Sequence, residues 1–144
     1  MKRYLFVVAL LFPSISFAVS KTAEEIVEKG LSAYKEEGAK AAIVEWIKGS
    51  GLENSKRALS QSNHLAQIED YYGPYFGSEI IEVNAVSERS KMILFVINYE
   101  NGIAYGRFQA YQSKEKGWVA TEFTFHTEAA LVWPADKVFK SCNK

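Results

Sequence analysis

Residues 91–127 read KMILFVINYENGIAYGRFQAYQSKEKGWVATEFTFHT, with Tyr99-Glu100-Asn101-Gly102-Ile103 at the centre. An Asn-Gly pair between runs of alternating apolar residues predicts a β-hairpin, because both central turn positions favour positive φ. A two-residue turn at Asn101-Gly102 sets Glu100 opposite Ile103, Val96 opposite Arg107, Leu94 opposite Gln109 and Met92 opposite Tyr111. It also sets Tyr99 opposite Ala104 and Phe95 opposite Phe108. The connection Lys114-Glu115-Lys116-Gly117 adds a third strand, with Tyr105 opposite His126, Gln109 opposite Glu122, Tyr111 opposite Ala120 and Ser113 opposite Trp118. One face then carries Ile93, Phe95, Ile97, Tyr99, Phe108, Ala110, Val119, Thr121, Phe123 and Phe125, which reads as core. The other carries Met92, Leu94, Val96, Tyr105, Tyr111, Trp118 and Ala120, with Arg107, Gln109, Glu122, Thr124 and His126 among them.

Before this meander, residues 79–86 (EIIEVNAV) predict a further strand and residues 87–90 its turn. Upstream the periodicity becomes helical. Thr22-Ala23-Glu24-Glu25 has capping-box spacing, and Ile26, Val27, Leu31 and Tyr34 follow at helical intervals up to Gly38. A second helix spans about Ala39 to Lys48, with Ile43, Trp46 and Ile47 on one side. Asn54 or Ser55 caps a third, which Gly73-Pro74 ends at Tyr72. Three helices followed by four antiparallel strands make the chain α+β.

Residues 1–18 have the pattern of a cleavable export signal. Lys2 and Arg3 precede a short apolar run from Tyr4 to Phe12, and Ser16-Phe17-Ala18 supplies small residues for cleavage before Val19. The run is too short for a stable membrane anchor, and Val19 stands where a lipoprotein would need cysteine. A periplasmic protein of residues 19–144, forming a single domain with a short C-terminal tail, is the expectation. Without Lys2 and Arg3, the 17 Lys and Arg fall to 15 against 17 Asp and Glu. A mildly acidic domain with no basic run is a poor nucleic-acid binder. The single cysteine, Cys142, forms no internal disulfide.

The short N-terminal helices, Tyr71-Tyr72-Gly73 closing the last of them, and the long meander resemble the nuclear transport factor 2-like superfamily. Within it, YYGPYFGSEII, YGRFQAY and GWVATEFTF are similar to small exported bacterial proteins of unassigned function. The resemblance implies a cystatin-like cone in which a curved sheet wraps the helices, and a pocket behind its concave face. Enzymes of that superfamily place acidic residues and a tyrosine there for proton transfer. Glu82, Asn84 and Tyr99 are the candidates for that position, although the turn at 87–90 leaves the facing of Glu82 and Asn84 open. The cystatin Gln-x-Val-x-Gly loop is absent, so protease inhibition is not implied.

Chemical motifs are otherwise sparse. His64, His126 and Cys142 lack metal-ligand spacing, no serine sits in a Gly-x-Ser-x-Gly setting, and no phosphate-binding loop follows Gly73 or Gly77. No cofactor is expected. Glu122 and His126 share a strand face but lie ~13 Å apart along it, whereas Arg107 and Glu122 sit one diagonal step apart as an ion pair. His64 reads as a solvated helix residue. The functional expectation is a non-catalytic binding or interaction module of the bacterial envelope, taking a small ligand or an envelope protein; the alternative is a small-molecule isomerase, dehydratase or hydrolase. The aromatic outer face predicts a homodimer through Met92, Leu94, Val96, Tyr105, Arg107, Tyr111, Trp118 and Glu122. Its rival is a monomer whose own tail, Ala129 to Trp133, covers that face.

Overall fold

The computed structural model describes residue 20 and residues 22–139. The expected export signal, its expected cleavage site and Cys142 lie outside them. Thr22 Oγ1 accepts the Glu25 N–H at 3.2 Å and opens helix α1, Ala23–Glu37. Its face Ile26, Val27, Leu31 and Tyr34 is buried. Helix α2, Ala39–Ile47, buries Ala42, Ile43, Trp46 and Ile47. Ser55 Oγ accepts the Ala58 N–H and opens α3, Lys56–Tyr72, which turns Ala58, Leu65 and Ile68 inward.

The four strands are β1 (Tyr75–Ser87), β2 (Ser90–Tyr99), β3 (Gly102–Ser113) and β4 (Gly117–His126). They form an open antiparallel sheet in the order β1-β2-β3-β4, so β1 and β4 are its edges. Together with the helices this is an α+β fold. Trp46 is fully buried where helices and sheet meet, with ring centroids 5.6 Å from Phe95, 6.1 Å from Phe108 and 5.6 Å from Phe123. Its indole N–H donates to Val27 O at 3.1 Å, so the one polar atom of the core's largest side chain is satisfied.

The hairpin turn differs from the sequence expectation. Tyr99 pairs with Gly102, so the two-residue turn is Glu100-Asn101 and the β2–β3 register slips by two positions. Among the described residues no non-glycine has positive φ, and Gly102 itself lies outside that region. The reason is tertiary. The Asn101 N–H donates to Tyr72 O at 2.8 Å and the Glu100 N–H to Pro74 O at 3.1 Å. The turn is thus held from outside, by the C-terminal end of α3 and the residues after it. Gly102 is required for closeness: a Cβ there would lie 2.2 Å from a ring carbon of Tyr72.

A slip of two leaves every side chain on its original face. Ile93, Phe95, Ile97, Tyr99, Phe108 and Ala110 are buried in the core, joined by Ala104. The expected β3–β4 register holds from Tyr105–His126 to Gln109–Glu122. A bulge at Thr121 then pairs Ala110 with Ala120 and inverts the rest of β4. Ala120 is therefore core, and Trp118 packs against the core with Lys91 Nζ 5.4 Å from its ring centroid. Both had been assigned to the outer face, and Trp118 to the dimer interface. Thr121, expected inside, is exposed, and its hydroxyl donates to Gln109 O.

After β4, a 3-10 turn at Ala129–Leu131 and a short helix α4, Ala135–Val138, carry the chain back onto the outer sheet face. Val132 O accepts from Arg107 Nη1 at 3.2 Å, and the Trp133 indole donates to Gly106 O at 2.9 Å. The Trp133 ring stands edge-on to Tyr105, 5.1 Å away. Leu94, Val96 and Val132 are buried yet lie outside the main core, forming a second apolar cluster beneath the tail.

If Gly102 serves close approach, Gly102→Ala should destabilise the protein by about 1–3 kcal/mol through overpacking against Tyr72. Most of that loss should vanish in a Tyr72→Ala background, measured as a double-mutant cycle by urea denaturation. A cost that persists in the Tyr72→Ala background would return the origin to backbone strain in the turn.

Candidate functional site

The space behind the sheet, where the resemblance places a pocket, is filled by Trp46, Phe95, Phe108 and Phe123. Of the three candidate ligand residues, only Tyr99 faces it. Glu82 pairs with Leu94 and Asn84 with Met92, which puts both on the outer face. They do not meet Tyr99. Glu82 instead forms an ion pair with Lys137 of α4 at 2.7 Å. The hydrogen bond from Lys137, with a second from Asn84, holds the Glu82 carboxyl below the usual range, and the same pairing raises Lys137.

Tyr99 belongs to a tyrosine cluster where the sheet meets the ends of α1 and α3. Tyr34 Oη donates to Glu69 Oε2 at 2.6 Å and lies 3.2 Å from Tyr99 Oη. The Tyr34 ring meets Tyr75 edge-on at 5.0 Å and Tyr99 at 6.4 Å. Burial first, then the contact with the Glu69 carboxylate, raises the Tyr34 phenol far above its ordinary value. Burial also pushes Tyr99 up to about 12, despite the opposing hydrogen bond with Tyr34. Both phenols are thus held protonated at neutral pH, with the Tyr34 hydroxyl bound to Glu69 and the Tyr99 hydroxyl against it.

The residues expected to form a dimer interface divide into groups. Leu94 and Val96 are 1% and 5% exposed under the chain's own tail and offer a partner no surface while it stays in place. Arg107 and Glu122 pair at 3.4 Å, and Gln109 donates to the other Glu122 oxygen at 2.8 Å. Met92 and Tyr105 are half-buried; Tyr111 is exposed, with Arg89 5.1 Å from its ring centroid. The outer face is thus occupied intramolecularly across its centre.

A half-open cleft of about 270 Å³ lies between α3 and β4, lined by Leu52, Ser55, Arg57, Gln61, Thr121 and Glu122 among others. Most of its polar atoms are engaged: Ser55 caps α3, Thr121 bonds Gln109, and Glu122 pairs with Arg107. Nearby, His64 stacks on Phe125 at 5.5 Å, and the His126 ring lies 6.4 Å away. His126 Nδ1 accepts the Glu128 N–H, opposite to the outward donation by which a metal-bound imidazole is oriented. Among the described residues no group of three or more His, Cys, Asp or Glu could hold a metal ion. None of their helices is long and apolar enough to cross a membrane.

The feature that sequence reasoning missed is the edge of β1, which pairs with no further strand among the described residues. The strand starts at Tyr75, four residues before the predicted 79, and its pairing with β2 is broken by three register shifts. They fall between Tyr75 and Gly77, Ile80 and Glu82, and Ala85 and Ser87. Each leaves one residue without a partner on β2: Phe76, Ile81 and Val86. All three are apolar and exposed, at 81%, 48% and 65%. Tyr71, equally exposed, stands nearby at the end of α3 with its ring against Tyr72. Each bulge of this edge strand thus carries a large apolar side chain in solvent. The one signal in the sequence was the even spacing 76, 81, 86, which fits neither a strand nor a helix period.

No family model matches the chain, and neither the curated proteins nor the solved structures compared with it contain a match.

Two outcomes test these assignments. Tyr34 and Tyr99 should remain un-ionised at pH 11 in the folded protein. A phenol whose folded pKa is raised adds stability below its unfolded value near 10 and loses it as pH rises through about 12. Absorbance at 295 nm should show a late tyrosine step coincident with unfolding, removed in Tyr34→Phe/Tyr99→Phe. In turn, Val96→Lys should cost several kcal/mol in the stability of the monomer itself, because it buries a charge under the tail. A folded, undestabilised Val96→Lys protein would show that the tail does not seal that face.

Proposed function

We propose that this chain is a non-catalytic protein-interaction module of the bacterial envelope, built on a nuclear transport factor 2-like α+β scaffold, and that its working surface is the edge of β1. The observation that carries this reading is the row Phe76, Ile81 and Val86, three apolar side chains extruded by three bulges. Interaction surfaces are where large exposed apolar residues cluster. The filled interior supports the same conclusion: Trp46 occupies the volume a substrate would need, and Glu82 and Asn84 face away from Tyr99. An enzyme of this class would need a titratable group within hydrogen-bond reach of a bound substrate. The outer face, closed at its centre by Val132 and Trp133, is secondary.

Site-specific photocrosslinking in the native cell tests this. A photoreactive residue at Ile81 should give discrete crosslinked species, while one at Val44, similarly exposed on α2, should not. Equal labelling at both positions, or none at either, would overturn the assignment.

A further inference from the structure

We infer that the β1 edge docks an extended basic–apolar segment of a partner protein, with apolar side chains four residues apart and lysine or arginine between them. This deepens the reading above and rests on it. The first argument is spacing. The unpaired positions fall opposite the Tyr99/Asn98, Phe95/Leu94 and Lys91/Ser90 steps of β2, four partner residues apart each time. At ~3.3 Å per residue that is about 13 Å between successive apolar side chains. An extended chain covers 13 Å in four residues, which returns the side chain to the same face. An α-helix covers it in about nine, which turns the side chain to the opposite face. The row therefore selects an extended partner.

The second argument is charge. From Ala58 to Glu88 the sequence contains no Lys or Arg, but it holds Glu69, Asp70, Glu79, Glu82 and Glu88. Glu69 is spent on Tyr34 and Glu82 on Lys137, which leaves Glu79 on the strand and Glu88 in the turn that follows it. Glu79 is exposed and lies between Phe76 and Ile81. Two copies meeting through this edge would bring like charges together; a segment with cations between its apolar residues would neutralise them.

The third argument is internal. Lys137 places an ammonium 2.7 Å from Glu82 on the outer face of this strand, so a β1 carboxylate already pairs with a lysine from another segment of the chain. The bulges also interrupt any continuous backbone ladder, so side chains must supply the affinity and the salt dependence.

The test uses the mature protein and a fluorescent peptide carrying three leucines four residues apart with lysines between them. Fluorescence anisotropy should show saturable binding, weakened about tenfold or more by Ile81→Ser, by Glu79→Lys, or by glutamate in place of the peptide's lysines. Raising salt from about 50 to about 300 mM should weaken it as well. Phe76→Ser, at a position that is 81% exposed, removes little packing and provides a second variant. Equal binding of lysine and glutamate peptides, or binding untouched by Ile81→Ser and Phe76→Ser, would overturn the inference. So would a wild-type dimer in sedimentation that Ile81→Ser dissolves, which would assign the edge to a second copy. Crosslinking at Ile81 in cells without binding of the lysine peptide would refute the partner's chemistry and leave the interaction module standing. Failure of both would remove both.

Discussion

The hydrogen bond from Asn101 N–H to Tyr72 O, with its neighbour from Glu100 N–H to Pro74 O, fixes the relation between the two halves of this fold. It ties the tip of the central hairpin to the end of the last helix. Net, each such bond contributes about 1 kcal/mol. The Tyr72 ring lying on Gly102 makes the joint specific as well as stable. Tyr99 then falls beside Tyr34, and Trp46 falls against Phe95 and Phe108.

This same joint explains what was legible in the sequence and what was not. Which face is buried depends on parity, and parity survives a slip of two. The core set Ile93, Phe95, Ile97 and Phe108 could therefore be read correctly from a register that was wrong. The register itself was misread because Asn-Gly is a local signal for a left-handed turn. Here the turn answers to a distant partner, Tyr72, which local pattern does not reveal. In β4 the opposite occurred. The register was right as far as Glu122, and one extra residue at Thr121 exchanged Trp118 and Ala120 with Val119 and Thr121. A bulge is a parity error of one, and nothing in Ala120-Thr121-Glu122 marks it.

The outer face teaches a related lesson. Its apolar composition was readable, and so was the Arg107–Glu122 pair, because diagonal neighbours follow from strand order alone. What covers the face was not fixed by composition. A second protomer and the chain's own Val132-Trp133 satisfy the same apolar side chains. Only the hydrogen bonds from Arg107 to Val132 O and from Trp133 to Gly106 O favour the tail. For Glu82 and Asn84, the turn at 87–90 admits either parity and the last of the strand's three bulges, at Val86, changes it once more, so their side of the sheet follows only from the pairing with Leu94 and Met92.

Those bulges also reconcile two demands on an edge strand. A long, flat, apolar edge is a template for uncontrolled pairing with other chains. The other edge, β4, has His64 stacked on Phe125 and α3 across its cleft. On β1 protection comes from breaking the ladder every fifth residue and from carboxylates such as Glu79 between the breaks. The residues expelled at the breaks could have been polar at no cost to this protection. That they are Phe76, Ile81 and Val86 is what the proposed docking role explains: the backbone is made a poor partner for strands in general, while three apolar side chains stay exposed. In that proposed role, recognition through side chains would forgo the ladder's generic affinity, and discrimination would fall to apolar spacing and charge.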